Sequence, residues 1–247
     1  MEPVSRIARA SPDRVEVRGR DLSGDLMGRL SFTEYFHLLL TGREPTEEQR
    51  FFLDLLLVSI AEHGLMPSNV TARMTFAADP GSLQGAVAAG ILGAGPVVLG
   101  TSGECARLLV AARASDRTPE EIARGLRDAG ERIPGFGHPV HRPVDPRAER
   151  ILALADERAA SGEHVALARA FRDAVTTLWE QPLPMNVSLP IAAVLLDLGY
   201  APEDVDAVPI LARTASLLAH LAEEREHPLG FRLAAAAEQA VEYAPPE

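Results

Sequence analysis

The sequence contains no lysine. Its 24 basic residues are all arginine, and 35 acidic residues outnumber them, giving a formal net charge of −11. A surface of that sign repels nucleic acid and anionic lipid, both of which need a basic patch. An anionic small molecule remains compatible, because a few arginines gathered in a cleft reverse the field locally. Cysteine is nearly as scarce. Cys105 stands alone, which rules out an internal disulfide framework and any multi-cysteine zinc site. The seven histidines are scattered along the chain, with no pair at ligand spacing beside a third ligand, so no metal is expected. Nothing at Met1-Glu2-Pro3 reads as a secretory signal, since a basic region followed by an apolar stretch is missing. The richest apolar run, 51–60, is interrupted by Asp54 and is too short to span a bilayer. It reads as a buried helix. A soluble, cytoplasmic protein is the expectation, with neither nucleic acid nor membrane as a partner.

Strand alternation is also nearly absent. Only Arg14 to Arg18 (Arg-Val-Glu-Val-Arg) alternates, which predicts one short surface strand. The stretch from Gly85 to Gly103 is rich in glycine and alanine, but no lysine follows the glycines and no strand precedes them. That excludes a phosphate-binding fingerprint and leaves close helix packing followed by a loop.

Helix-start chemistry, by contrast, recurs. Ser31-x-x-Glu34, Thr46-x-x-Gln49 and Thr118-x-x-Glu121 each fit a capping box, in which two side chains satisfy amides left free at a helix start. Pro119 falls at the first helical position of the third, where a missing N–H costs little. Apolar stripes at helical spacing follow, such as Val165, Ala168, Phe171, Val175 and Leu178. With 47% hydrophobic residues in 247, the chain can bury a sizeable core in one large domain or two small ones. No linker, low-complexity tract or fixed-period repeat divides it. The expected fold class is all-α.

The segment 130–150 carries the densest chemistry: Gly-Glu-Arg-Ile-Pro-Gly-Phe-Gly-His-Pro-Val-His-Arg-Pro-Val-Asp-Pro-Arg-Ala-Glu-Arg. Gly135 and Gly137 allow backbone conformations closed to other residues and a close approach to a ligand. His138 can exchange a proton near neutral pH. Arg147, behind Asp145-Pro146 at a predicted helix start, can grip a carboxylate through two parallel hydrogen bonds. Elsewhere, His63 lies between a buried helix and a Pro-Ser turn, where it serves either a helix end or a ligand. Arg213 sits among Ile210, Leu211, Leu217 and Leu218. A cation in such surroundings needs a partner when buried, and a carboxylate is one candidate. His141 and Arg142 can reach an anion or stay solvated. His37, His164 and His220 read as structural or surface residues.

The run from Gly135 to Arg147 resembles the Gly-x-Gly-His-x-Val…Asp-Pro-Arg motif of the citrate synthase and citryl-CoA lyase family. Other segments agree. Leu30-Ser31-Phe32-Thr33-Glu34 leading to Leu38-Leu39-Leu40-Thr41-Gly42 is similar to the family's amino-terminal helices. Glu62-His63-Gly64-Leu65, with Pro67-Ser68 and Ala72-Arg73, resembles its His-Gly-Leu-x-Pro-Ser…Ala-Arg segment, and Ala212-Arg213-Thr214 with Ala219-His220 resembles a carboxy-terminal helix. The similarity extends from about residue 15 to 232. In length the chain is nearer stand-alone citryl-CoA lyase-like proteins than typical citrate synthases.

The resemblance implies an all-α, dimeric fold in which one citrate synthase-like unit spans 1–247, with a large subdomain of about 1–99 and 200–247 and a small one of about 100–199. It implies that His63, His138, Arg147 and Arg213 hold the oxaloacetate-derived half of the substrate, with His138 catalytic at the keto or hydroxyl oxygen. Gly135, Phe136 and Gly137 are the expected CoA contacts. CoA enters as part of a thioester substrate, and no separate cofactor is implied.

Two departures from the family pattern bear on the reaction. Gly95-Pro96-Val97-Val98-Leu99-Gly100 stands where citrate synthases carry Gly-Pro-Leu-His-Gly-Gly, so Val98 replaces the histidine that bonds the thioester oxygen of the enolate. Asn186-Val187-Ser188 stands for Asn-Val-Asp, so Ser188 replaces the aspartate that exchanges a proton with the acetyl carbon. A serine hydroxyl has no useful basicity near neutral pH without an activating neighbour; Glu104 is the one speculative substitute. His227-Pro228 also replaces a late Arg-Pro. Residues matched to the oxaloacetate half persist, while those matched to the enolate half are exchanged. Three readings stay open: a C–C lyase acting on citryl-CoA or a related 3-hydroxy-3-carboxyacyl-CoA, which is favoured; a condensing or cleaving enzyme for a different acyl-CoA; and a non-catalytic protein that retains a dicarboxylate site.

Overall fold

The computed structural model describes residues 3–95, 101–180 and 183–245. The three capping boxes form as expected. Ser31 caps α1 (Phe32–Thr41), Thr46 caps α2 (Glu47–Ala61), and in both the N-cap side chain and the third helical residue exchange hydrogen bonds with the backbone. Two further helices, α3 (Pro67–Ala78) and α4 (Leu83–Leu92), come before α5 (Thr101–Arg113). Thr118 then caps α6 (Pro119–Asp128), with Pro119 in its first turn. The remaining helices are α7 (Pro146–Glu157), α8 (Glu163–Leu178), α9 (Ser188–Asp197), α10 (Ala207–Glu226) and α11 (Gly230–Ala240).

The amino-terminal strand has company that alternation did not reveal. Val15–Val17 is the middle of a three-stranded antiparallel sheet, flanked by Ala8–Ala10 and Arg20–Asp21. Flanks of three and two residues are too short to display a period of two.

Two bodies of buried side chains matter for the site. The larger joins α2 to α5 and to the helices that follow it, through residues such as Leu53, Leu109, Phe171 and Leu195. The stripe read from the sequence supplies Val165, Ala168, Phe171 and Val175 to it, with Leu178 packed at its edge. The smaller one joins α3, α4 and α10 through Ala72, Phe76, Ala86 and Leu217. Here the glycine-rich stretch acts as a close-packing surface: a Cβ on Gly90 would lie 2.8 Å from a Leu217 methyl carbon.

The apolar run 51–60 lies within α2. In the fold, the helical stretch Pro202–Glu226 reaches the length and hydropathy of a membrane span, with a mean hydropathy of 1.3 over its most apolar window. Its core, α10, packs against α2, α3 and α4. It also carries Arg213, Ser216 and Glu224, all buried.

Candidate active site

The Gly-Phe-Gly-His loop is held in shape by the segment that precedes α9. The Asn186 amide donates to the Gly135 carbonyl (2.8 Å), the Gly137 amide donates to the Pro184 carbonyl (2.8 Å), and the Asn186 side chain donates to the Gly137 carbonyl (3.0 Å). Both glycines adopt left-handed backbone angles, φ 83° and 85°, which other residues adopt only at a cost. The loop delivers His138 to one end of a cavity of about 840 Å³ that Gly135, Phe136 and Gly137 also line, together with Glu104.

His138 is fixed by its own loop. Its Nδ1 accepts from the amides of Val140 (3.0 Å) and His141 (2.9 Å). A nitrogen that accepts two N–H groups carries no proton, so the ring's single proton sits on Nε2. Burial, followed by the charge of His141, lowers the pKa to about 4, so the neutral form persists at neutral pH. This corrects one expectation. His138 presents a donor toward a ligand, not a vacant lone pair, and the role of receiving a hydroxyl proton does not fit it.

Arg147 also differs from expectation. Its two-bond grip closes within the chain. Nε and one terminal nitrogen bond the two oxygens of buried Asp145 at 3.0 and 2.8 Å. Asp145 is the N-cap of α7 and accepts the Arg147 amide as well. Burial opposes ionisation of Asp145, but the bonds and charge of Arg147 outweigh it and hold the carboxyl below its usual range. A second bond, from the Val187 amide at 3.2 Å, ties this pair to the start of α9. The guanidinium is therefore locked, with its remaining N–H groups left for a ligand. One of its terminal nitrogens lies 3.3 Å from His138 Nε2. With a proton on Nε2, two donors face one another there, an arrangement suited to an oxygen held between them.

His63 joins this group from the turn after α2. Glu62 builds that turn: one carboxylate oxygen accepts the amides of His63 (2.8 Å) and Gly64 (2.6 Å), and the other accepts the Ser216 hydroxyl (2.6 Å) and contacts His220 Nε2 (3.0 Å). Burial, followed by the charge of Arg147, lowers the pKa of His63. Its Nε2 lies 3.1 Å from Nε2 of His141. The expectation that the histidines are scattered fails here, since His63, His138 and His141 each offer a nitrogen within 4.8 Å of the others. Neither spacing nor periodicity could have paired positions 63 and 141.

Three clustered histidines raise the question of a metal, and the donor set fits one poorly. A metal on His138 Nε2 requires a proton on Nδ1, where two amides already donate. Arg147 stands 3.3 Å from the same nitrogen and would repel a cation. Asp145, next to the cluster, is taken up by Arg147, and Glu62 by backbone amides, Ser216 and His220. The surroundings favour an anion.

Arg213 supplies a second cation. It is 3% exposed, donates to the Asn69 side chain at 3.1 Å, and makes no ion pair among the described residues. Its Nε has no hydrogen-bond partner there either. Burial, resisted by the charge of Glu62 and reinforced by that of Arg147, pulls its pKa down. A buried, unpaired guanidinium is costly unless an anion completes it.

Behind these groups lies a network the sequence did not announce. Buried Arg73 on α3 pairs with Glu223 and with Glu224 (2.8 Å), and its Nε donates to His220 Nδ1 (3.0 Å). His220 thus links Arg73 to Glu62, a supporting position. His37 bonds Tyr200 (2.7 Å) and His164 bonds Asp197 (2.8 Å), both away from the cavity. Ser188 begins α9, buried, its amide bonded to the Asn186 side chain (3.0 Å). Val98 lies outside the described residues.

Over residues 7–233 the sequence matches the family described as "Citrate synthase, C-terminal domain". The chain belongs to the citrate synthase family. It is 32% identical over 190 residues to putative citrate synthase 2 of Mycobacterium tuberculosis, covering 74% of this chain and 49% of that protein. To the citrate synthase of Haloferax volcanii it is 28% identical over 235 residues, 92% of this chain and 61% of the relative. The chain thus spans about half to three fifths of the length of these relatives. The structure of citryl-CoA lyase from Hydrogenobacter thermophilus superposes with a TM-score of 0.87 at 31% identity, covering 99% of this chain and 96% of that one. The citrate synthase of Thermotoga maritima shares the all-α fold, with a TM-score of 0.71 at 20% identity over 88% of this chain and 57% of that one.

Proposed function

We propose that this family member is a citryl-CoA lyase-like C–C lyase, cleaving citryl-CoA or a related 3-hydroxy-3-carboxyacyl-CoA to an acyl-CoA and a 2-oxo acid. The observation that carries the proposal is the convergence of His138 Nε2–H and Arg147 on one point, beside the unpaired cation of Arg213. Such a set recognises a carboxylate next to a hydroxyl or keto oxygen. The cavity lined by Gly135, Phe136 and Gly137 is roomy enough for the thioester end of CoA, which enters as substrate with no separate cofactor.

In this reading Arg147 and Arg213 bind the carboxylates, and His63 lies beside the hydroxyl-bearing carbon. His138 donates a hydrogen bond to the hydroxyl oxygen, and that bond strengthens as the oxygen gains charge when the C–C bond lengthens. The electron pair of the broken bond passes to the acyl methylene as an enolate, which takes a proton from solvent or from Glu104 at the same cavity. Ser188 supplies no acid there. The likeness to the lyase structure over nearly the full length of both chains favours cleavage over condensation. The names of the curated relatives favour a second reading, condensation of an acyl-CoA with a 2-oxo acid. Apolar side chains left exposed at Val58 and Leu92, 79% and 81% accessible, support a homodimer.

The test is a thioester panel read by mass spectrometry. Citryl-CoA is expected to yield acetyl-CoA and oxaloacetate, while acetyl-CoA with oxaloacetate yields no citrate. Net condensation with no citryl-CoA cleavage would overturn the lyase assignment in favour of the second reading.

A further inference from the structure

Cleavage needs an acceptor for the hydroxyl proton, and His138 is unsuited because its Nδ1 is occupied by two amides and its Nε2 is already protonated. The nearest titratable pair is His63 and His141. Their Nε2 atoms are 3.1 Å apart, so one ring donates to the other and a single proton lies between them. The Nδ1 atoms of both rings make no hydrogen bond among the described residues. Ring packing holds the arrangement. His141 lies against His138, with centroids 4.4 Å apart and planes tilted by 30°, and meets His63 edge-on at 5.2 Å. The His141 amide is one of the two that fix His138. His141 also begins the Arg142-Pro143-Val144 stretch, which is exposed to solvent.

We propose that His141 is a positioning and relay residue: it works through His63, carrying the hydroxyl proton from the substrate out to solvent. This rests on the lyase reading. In the step, His63 Nδ1 accepts the substrate's O–H proton, and the O–H electron pair becomes the new C=O bond. The C–C bond breaks, and its electrons form the acyl-CoA enolate. The Nε2 proton of His63 moves to His141 Nε2, His141 releases its Nδ1 proton to solvent, and solvent returns one proton to the enolate carbon. After product leaves, solvent takes the His63 Nδ1 proton and returns one to His141 Nδ1, the shared proton moves back to His63 Nε2, and no proton is gained or lost overall. The charged and titratable groups around the pair are His138, Arg147 and Asp145 from the 138–147 segment, Glu62 beside His63, and Arg213 on α10. Burial, followed by the charge of Arg147, disfavours a standing positive charge on His63, so its ring is neutral before the substrate proton arrives.

The experiment compares the full chain with its His141→Ala and His141→Asn variants. With citryl-CoA as substrate, both substitutions are expected to lower kcat about 100-fold, the lower end of general acid–base contributions, with KM changed less than about twofold. Free imidazole in the buffer is expected to restore much of the rate in His141→Ala. An unchanged kcat, or a loss that imidazole does not rescue, would overturn the relay. A second measurement does not depend on turnover. In protein with nitrogen-15-labelled histidine, the His63 ring is expected to titrate at least about half a pH unit differently once His141 is replaced, as coupled sites do. An unmoved His63 titration overturns the pairing whether or not the wild type turns over. If the wild type fails to cleave citryl-CoA while that titration moves, the lyase reading falls and the paired histidines stand.

Discussion

Replacing Gly135 with alanine inserts one methyl group at the tightest point beneath the His138 loop. The new Cβ would sit 2.6 Å from Leu189 Cβ and 2.9 Å from Cys105 Sγ. Both neighbours are fully buried, and the nearer atom is held close to its backbone, so neither can rotate aside. Two costs add. Holding alanine in a left-handed conformation costs about 1–2 kcal/mol, and forcing a methyl into a packed interior costs a further ~1–3 kcal/mol. The sum is about 2–5 kcal/mol. Gly137 is the internal control: its φ is nearly the same, 85° against 83°, but a Cβ there meets nothing within 4 Å. Gly137→Ala therefore carries only the backbone cost, about 1–2 kcal/mol. For a chain of this size each kcal/mol moves the melting temperature by roughly 2–4 °C. Scanning calorimetry is expected to show a clear drop for Gly137→Ala and a distinctly larger one for Gly135→Ala. Equal losses would refute the packing argument, and a neutral Gly137→Ala would refute the conformational one.

Three further outcomes are expected. Arg213→Met removes a buried cation with no ion-pair partner among the described residues, so the free protein keeps its stability or gains about 1 kcal/mol. The rise in melting temperature on adding oxaloacetate disappears; a retained rise would remove Arg213 from the site. Ser188→Asp restores a carboxylate at the start of α9, and proton NMR in deuterated water is expected to show new exchange of the acetyl-CoA methyl protons when oxaloacetate is present. No exchange would separate position 188 from enolate chemistry. The His138 pKa falls from 6.5 unfolded to about 4 in the fold, so the unfolded chain binds its proton first as acid is added. Stability is therefore complete above about pH 6.5 and falls from there toward pH 4. The limit is one proton's worth, ~1.4 kcal/mol per pH unit, lessened by the partial exposure of the ring. Urea midpoints measured across that window are expected to flatten in His138→Asn, and an identical slope would contradict the stated origin.

Local rules carried much of the fold. The capping boxes at Ser31, Thr46 and Thr118 start the helices they announced, because capping depends on residues three apart. The loop from Gly135 to Arg147 was equally legible, since its glycines, its histidine and its Asp-Pro-Arg helix start lie within one short segment. What escaped depends on tertiary contact. Residues 63 and 141 are 78 positions apart, so nothing local records that their rings meet. The Arg73–His220–Glu62 support draws on α3, α10 and the end of α2. Motif spacing also gave Arg147 and His138 their positions but not their bonding. The Asp145 grip on Arg147 and the two amides on His138 Nδ1 are products of the folded loop. They leave His138, read from the sequence as able to exchange a proton, with only a donor to offer a ligand.

Citryl-CoA cleavage is tested most directly by a single-turnover reaction with enzyme in excess over citryl-CoA, quenched at intervals and analysed for acetyl-CoA and oxaloacetate. The expected result is equal appearance of both products, slowed by about two orders of magnitude or more in His138→Ala, as follows the loss of a hydrogen bond to a developing oxyanion. Persistence of intact citryl-CoA with the wild type, or the same rate in His138→Ala, would contradict it.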